Sequence, residues 1–597
     1  MAKPQTNKEI AKLLRSVAAA YSLKKDDQFR VIAYDRAASS IEHATSELKD
    51  LWDDGKLGEL AGIGSSIASH LDELFRTGEV KHFKEVMKGY PPAMFELIFV
   101  PGIGPKNAYR LCRKLKITRA KTALEELEKA AKSGKIAEIA GFGVKSQQEM
   151  LKALEAFKKG QTKANRMVLP YADALAQELI LYLKKCPAVG RADPLGSLRR
   201  KVATVGDIDI AVTTQEPNKV IDWFIRYPQK QKTIERGSTK ASILLKNGRQ
   251  VDLRVGKPKA YGAMLQYFIG SKHHNIHLRE LALKKGLSLS EYGIKKGKKL
   301  IEYASEEAFY QALGLDWIPP ELREDTGEIE VAQEGKLPNL VETADVKGDL
   351  HIHSDFPIET SHDEGADSIE EMLEEAEELG YEYLGFTEHN PSTSQHNVKQ
   401  RIDLIKRKRD KIDKLNYSRE NKKRGRGNKL PVLALNSLEI DIRPDGELAI
   451  PEKALAILDF AVVSIHSSFS LSRREMTKRV LAALGHPKVK ILGHPTGRKI
   501  NEREGFELDW EEIFDFCLKY DKWLEINAWP NRLDLPDTLV REAIKNSVKL
   551  VISTDAHTKE HLTLMEYGVS VARRGWAQKA DIINTLGYNE FLQTLRY

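Results

Sequence analysis

The sequence predicts a multidomain chain of mixed α+β and α/β class, with a helical N-terminal region, a strand-rich centre and a C-terminal βα barrel or parallel sheet. Three observations carry this. Glycine-punctuated short helices fill residues 1–160, and the texture turns to β between 187 and 256. Beyond residue 345, short apolar strands alternate with amphipathic helices, the mark of βα units. At 597 residues the length suggests about three to five domains.

Hydrophobic residues make up 41% and charged residues 30%, a soluble globular balance. No run approaches the ~18–20 apolar residues of a spanning helix, and MAKPQTNKEI lacks the apolar core of a signal peptide. Cys112, Cys186 and Cys517 lie far apart, without metal spacing. That fits a reducing compartment and a cytoplasmic protein. A monomer with no membrane partner is expected. The net charge of +8 permits an acidic polymer as partner without requiring one.

In the helical region one pattern recurs in LGELAGIGSSIASHL (57–71), LIFVPGIGPKNAYRL (97–111) and IAEIAGFGVKSQQEML (136–151). Each places Gly-x-Gly before a new helix, including Gly62 and Gly64, then Gly102 and Gly104. Such a hairpin aims free backbone N–H groups at a phosphate, and the helix dipole assists. Binding of this kind follows the DNA backbone and ignores sequence. The bland alternative is a helix-linking turn, which three copies make less economical.

Strands are predicted at 207–213, 242–246 and 250–255. In GSLRRKVATVGDIDI (196–210), Asp207 and Asp209 stand at i and i+2, on one face of a strand. RQVDLRV (249–255) supplies Asp252, a carboxylate in an apolar strand, which is costly unless paired or metal-bound. Two divalent ions about 3.5–4 Å apart need such carboxylates. The Gly196-Ser197 turn and Arg200 supply groups for a triphosphate.

GS-x-R-R, then G-D-x-D, then a third Asp in V-D-L-R resembles the palm of family X DNA polymerases. The resemblance implies Asp207, Asp209 and Asp252 as ligands of catalytic Mg2+ or Mn2+, with Ser197, Arg200 and Gly206 at the incoming nucleotide. YFIGSKHHNIHLRELALKKGLSLSEYG (267–293) resembles the thumb. There Tyr267 and Phe268 would gate against ribose, Asn275 would touch the base and Arg279 the template strand. Lys272 stands where the familiar vertebrate member is acidic, and a cation there would strengthen nucleotide binding. Gln250 replaces an arginine that often orients the third aspartate.

The hairpin region resembles the lyase-like and fingers parts of the same family. The resemblance implies a monovalent cation on the carbonyls of Ile98, Val100 and Ile103. It also places His70 where those lyases carry a Schiff-base lysine, with Ser66 in the preceding turn, so little lyase activity is expected. Read this way, 1–85 is a lyase-like domain, 86–160 fingers, 161–257 palm, 258–318 thumb and 319–345 an acidic, proline-bearing linker. The remaining domain is 346–597.

There, candidate strands are 348–352, 382–387, 431–440, 460–465, 489–493, 523–527 and 549–553. His351, His353, His389, Glu439, His466, His494, Asp555 and His557 fall where these strands end. Active sites of βα barrels lie at those carboxyl ends, and mixed imidazole and carboxylate ligands suit Zn2+, Mn2+ or Fe2+. The set resembles the PHP phosphoesterase family, a distorted seven-stranded βα barrel with a trinuclear metal site, over residues 348–557. The pattern calls for one more ligand in SDFPIETSHDEGADS, for which Asp363 is chosen over His362 and Glu364. Glu388 stands where Asp is usual and is not a ligand by the resemblance. The basic run 399–429 reads as a solvated helix and loop, or as a DNA-backbone contact.

Together the resemblances imply a polymerase filling short gaps in repair, acting on gapped or nicked double-stranded DNA with dNTPs, whose PHP domain trims 3′ ends as a 3′→5′ exonuclease or phosphoesterase. Alternatives are a repair nuclease whose polymerase half positions DNA, and a DNA-end scaffold without turnover.

Overall fold

A computed structural model describes residues 6–24, 28–42, 48–53, 55, 57, 63–100, 102–139, 141–158, 166–423 and 431–595. The chain divides into two compact units, Met1–Ala164 and Asn165–Tyr597. Among the described residues, no helix is long and apolar enough to cross a membrane.

Among its described residues the first unit is helical, with one apolar core built from residues between Ile10 and Val86 and a second mainly between Ala93 and Leu154. Two of its hairpins share one turn geometry. Gly102 (φ +83) and Gly141 (φ +89) turn the chain in left-handed backbone, which side-chain-bearing residues avoid. Gly104 and Gly64, both extended, then cap Pro105–Leu115 and Ser65–Thr77. Gly62 lies outside the described residues.

The second unit begins with a ribbon of β1 (Met167–Val168) and β3 (Thr204–Val205). A five-stranded sheet follows, of β2 (Ala192–Pro194), β4 (Ile208–Thr213), β5 (Lys230–Arg236), β6 (Lys240–Leu245) and β7 (Gln250–Gly256), in the order β2-β4-β7-β6-β5. Alternate residues Val251, Leu253 and Val255 of β7 enter the core, so Asp252 and Gln250 point to the opposite face. Helices Tyr261–Ile269 and Lys272–Lys284 lead to the meander β8 (Leu287–Ser290), β9 (Gly293–Lys296) and β10 (Lys299–Ile301).

Residues 319–345 are folded rather than a flexible connector. Arg323 and Glu328 are buried, and Leu322, Ile329, Ala332 and Leu340 join the core around Phe309 and Tyr310. The acidic character misleads because these acids have fixed cationic or imidazole partners: Glu328 lies 2.6 Å from His274, and Glu324 is shared by Arg200 and Arg574.

All seven candidate βα strand segments are present as parallel strands, but the third is broken in two. The strands are β11 (Gly348–Ile352), β12 (Tyr383–Phe386), β13 (Leu433–Asn436), β14 (Glu439–Asp441), β15 (Ala461–Ser464), β16 (Val489–Leu492), β17 (Trp523–Asn527) and β18 (Leu550–Ser553). The break at Ser437 lets β13 pair with β12 and β14 with β15, giving sheets of three and five strands. Their margins meet at the isolated bridges His389↔Glu439 and Ile352↔Ala556 instead of through a continuous closed ladder. Interior residues Leu350, Tyr383, Phe460, Trp523 and Val551 form a core with Phe591 of the helix Tyr588–Thr594. Phe591 stacks on Tyr383, at the start of β12, so this helix packs at the amino ends and the carboxyl ends stay clear.

Candidate catalytic and metal sites

Asp209 on β4 pairs in register with Asp252 on the parallel neighbour β7. The GDID segment leaves Asp207 one residue before the strand, exposed, while Asp209 is half-buried. Burial, then Asp207 and Asp252, raise the Asp209 carboxyl to about 7. A cationic partner is what such a cluster needs. Gly196 (φ +57) brings the Gly-Ser turn against it, since a Cβ there would sit 2.9 Å from Asp209 Oδ2. Gln250 Nε2 lies 3.1 Å from each carboxylate oxygen of Asp252, orienting it without the arginine's charge.

Ser197 lies in the short helix Gly196–Arg199 beside this turn. Arg200 is engaged: Nε donates to Glu324 Oε1 at 3.0 Å and Nη1 to the Ile269 carbonyl. Gly206 abuts Arg166, 3.2 Å from where its Cβ would be. Tyr267 and Phe268 pack edge to face at 5.0 Å, under the guanidiniums of Arg279 and Arg254 respectively. Asn275 is oriented by two bonds, donating to the Tyr267 carbonyl and accepting from Gln266, both at 2.8 Å. Lys272 is exposed at the start of its helix.

In the first unit, the Val100 carbonyl accepts from Ile103 N–H at 3.0 Å in the second hairpin. His70 lies 3.0 Å from Tyr34 Oη and stacks on His82 at 4.7 Å. Burial and then His82 hold its pKa below the usual value.

At the carboxyl ends of the second unit's parallel strands, Glu439 is the hub of a buried cluster. Its oxygens lie 2.8 Å from His494, 3.0 Å from His389, 3.3 Å from His466, 3.4 Å from His351 and 3.7 Å from His353. Asp555 adds a carboxylate 3.3 Å from His353. Asp363, with a side chain 77% exposed, bridges His389 and His557 at 3.4 Å each. His362 also reaches the cluster, its ring 4.6 Å from that of His389. His494 and Asp555 both carry positive φ, backbone strain of the kind that collects at functional sites.

Four groups present ligand atoms within 4.8 Å of one another: His353/His389/His557, His362/His389/His466, His351/His353/Glu439 and Glu439/His466/His494. His362, offered as an alternative to Asp363, is thus as well placed as the chosen residue. Several ring nitrogens are buried without a hydrogen bond, among them His351 Nε2, His353 Nε2, His389 Nδ1 and His557 Nε2. Buried ring nitrogens left without a hydrogen bond around one carboxylate are what bound divalent cations would satisfy, so the residues fit divalent metals. Burial opposes charging, but Glu439 outweighs it and raises His389 to about 10 and His466 to about 9. Burial pushes His353 down to about 3.

Sequence reasoning missed the supporting residues. Glu525 lies 2.7 Å from His351 Nδ1 and accepts from the His494 N–H at 2.6 Å. Asp441 holds His466 and His362 at 2.6 and 2.9 Å. Asn527 donates to Asp555 at 3.1 Å. Their signal was present, since Glu525 and Asn527 are polar residues inside the apolar strand WLEIN, as Asp252 is in its own. In the basic run, Lys408 is buried on Glu388 and two carbonyls, Arg409 pairs with Asp459 and Arg419 with Glu377. Residues 424–430 lie outside the described residues.

The fold and its two centres define the class: a nucleotidyltransferase-type sheet joined to a metallo-phosphoesterase-type unit. Family profiles agree: "DNA polymerase beta thumb" matches residues 264–324, "Helix-hairpin-helix domain" 5–80 and "PHP domain" 349–528. The chain is 34% identical over 582 residues to a "DNA polymerase/3'-5' exonuclease PolX" of Bacillus subtilis (strain 168), covering 97% of each. Over 85 residues, 14% of this chain and 33% of the relative, it is 33% identical to a "Probable phosphatase" of Caldicellulosiruptor bescii. The chain belongs to the PolX family, the family X DNA polymerases with a C-terminal PHP domain.

Proposed function

We propose that the protein fills short gaps in DNA by template-directed nucleotidyl transfer and trims 3′ ends at its PHP centre. The observation that carries the first half is the register of Asp209 opposite Asp252, with the Gly196 turn against Asp209. Divalent ions, Mg2+ or Mn2+, would activate a primer hydroxyl and cover pyrophosphate charge there. Asp252, held by Gln250, positions the primer 3′-hydroxyl and receives its proton at a carboxylate oxygen. Ser197 and Arg200 receive the triphosphate, and Tyr267 and Phe268 crowd the sugar. Asn275 and Arg279 meet the base pair's minor-groove side, and Lys272 attracts the nucleotide. The hairpins at Gly64, Gly102 and Gly104 offer backbone N–H groups to DNA phosphates.

The Glu439 cluster fits several ions of Mn2+, Zn2+ or Fe2+, held by His351, His353, Asp363 or His362, His389, His466, His494, Asp555 and His557. Such ions supply a hydroxide and neutralise a phosphate ester. His70 offers no amine and its helix Ser65–Thr77 contains no lysine, so no Schiff-base lyase chemistry is assigned there. The intact three-aspartate set speaks against a nuclease that only positions DNA.

The test is primer extension and degradation on a gapped duplex. Asp207→Ala should abolish incorporation and spare exonuclease, and His353→Ala the reverse. Incorporation by the first variant, or full nuclease in the second, would overturn the corresponding site.

A further inference from the structure

The helix Met565–Arg574 belongs to the C-terminal part of the chain, yet it grips the loop that carries Ser197 and Arg200. Its seat on the parallel sheet is close: a methyl on Gly568 would lie 2.5 Å from Ile552 of β18. From that seat Arg574 Nη1 donates to the Arg200 carbonyl at 2.8 Å and to Glu324 Oε1 at 3.0 Å. Arg574 Nε is anchored to Asp537 at 2.7 Å. About two turns earlier on the same helix, Tyr567 Oη reaches Asp173 at 3.4 Å, and Asp173 also holds Lys201 at 2.9 Å. Arg573 fixes Glu321 at 2.8 Å. Two neighbouring residues of the nucleotide loop are therefore braced from this one helix.

Glu324 Oε1 receives both guanidiniums, Arg200 Nε and Arg574 Nη1, at 3.0 Å each. Burial would push Glu324 up, but Arg574 and Arg200 outweigh it and keep it ionised. With Nε on Glu324 and Nη1 on the Ile269 carbonyl, Arg200 Nη2 makes no hydrogen bond among the described residues. The guanidinium is thus held at Nε and Nη1, and Nη2 is left to donate.

We propose that Arg574 is a positioning residue for nucleotide incorporation: sharing Glu324, it keeps Arg200 in place and its charge unspent for the incoming triphosphate. This rests on the reading of Arg200 as a triphosphate contact. Without Arg574, Glu324 would face the Arg200 guanidinium with no second cation to share its charge. Glu324 would then pair with it alone, and the triphosphate would compete against that carboxylate. The PHP half would in this way set nucleotide affinity in the polymerase half, with no chemistry passing between them.

The experiment is steady-state single-nucleotide incorporation on a gapped duplex with the full chain, with exonuclease activity measured in the same preparations. Arg574→Leu should raise KM for dNTP about tenfold while kcat stays within about threefold, because a charge-assisted hydrogen bond to the nucleotide is weakened. Glu324→Gln, whose amide oxygen still accepts from both arginines, should bind dNTP at least as tightly as the parent. The double variant Arg574→Leu/Glu324→Gln should return to within about threefold of the parent KM, a recovery that a purely structural defect would not show. Exonuclease should persist throughout, and Arg574→Gln, which keeps a donor, gives a second reading if the leucine variant fails to fold. An unchanged KM in Arg574→Gln or Arg574→Leu, or a defect that Glu324→Gln does not relieve, overturns the proposal. Arg200→Ala separates the two claims. If its KM is unchanged, the triphosphate reading itself fails; if its KM rises while the Arg574 variants match the parent, only the brace is wrong.

Discussion

Replacing Gly196 with alanine tests whether the Gly-Ser turn sets the position of Asp209. Two costs are readable from the structure. The backbone has φ +57, and a left-handed non-glycine residue costs about 1–2 kcal/mol. The new methyl would also stand 2.9 Å from Asp209 Oδ2, closer than real side-chain contacts allow, so the carboxylate must shift. Gly248 supplies the control: its φ is +78 and an added methyl would meet nothing within 4 Å, so Gly248→Ala carries the backbone cost alone. Gly248→Ala should lose about 1–2 kcal/mol, a few degrees in melting temperature, and Gly196→Ala at least as much. Only Gly196→Ala should lose incorporation, by about tenfold or more, since misplacing a reacting group by ~1 Å costs about a hundredfold. The assay is single-nucleotide gap filling, with exonuclease as the control that should stay constant in both. Equal incorporation by the two alanine variants would refute the argument that this turn holds the carboxylate.

Two further outcomes follow from the PHP centre. Glu525→Gln removes the charge behind His351 and leaves one amide oxygen where two carboxylate oxygens served His351 Nδ1 and the His494 N–H, and should weaken Mn2+ activation of the exonuclease about 10–100-fold while leaving gap filling intact; an unchanged Mn2+ titration would count against that role. Burial resists charging of His389 and His466, but Glu439 prevails and raises them to about 10 and 9, so near neutral pH the metal-free site holds protons that a cation must displace. Mn2+ affinity should therefore rise as pH increases from about 6 to 8, with proton release in weakly buffered solution; a flat profile would contradict this.

Much of both centres is legible in the chain because each depends on short-range spacing. Asp207 and Asp209 are two residues apart, His351 and His353 likewise, and a strand turns such spacing into a shared face. The ends of apolar runs mark His389, His466 and His494 for the same reason. The role of Gln250 is harder to read. Its sequence position suggests a missing arginine, whereas the folded strand uses its amide to hold Asp252. Residues 319–345 mislead in the opposite sense. Acidic, proline-bearing composition is the signature of a connector, yet Glu324 and Glu328 are paired and Arg323 is buried on Glu306. The broken third strand reads as one run, because the local pattern is continuous and only pairing with different neighbours divides it.

The amino-acid order alone determined which residue types gather at which element ends, and hence the two kinds of phosphate chemistry and the family likeness. Local periodicity and glycine conformational preference suffice for that, as both act over a few residues. Tertiary structure decided what lies across long separations: Glu525 behind His351, His362 beside His389, and Arg574 on the loop of Arg200. Those contacts join segments up to hundreds of residues apart, and they form only when burial of the intervening helices and strands brings charges together that no local pattern connects.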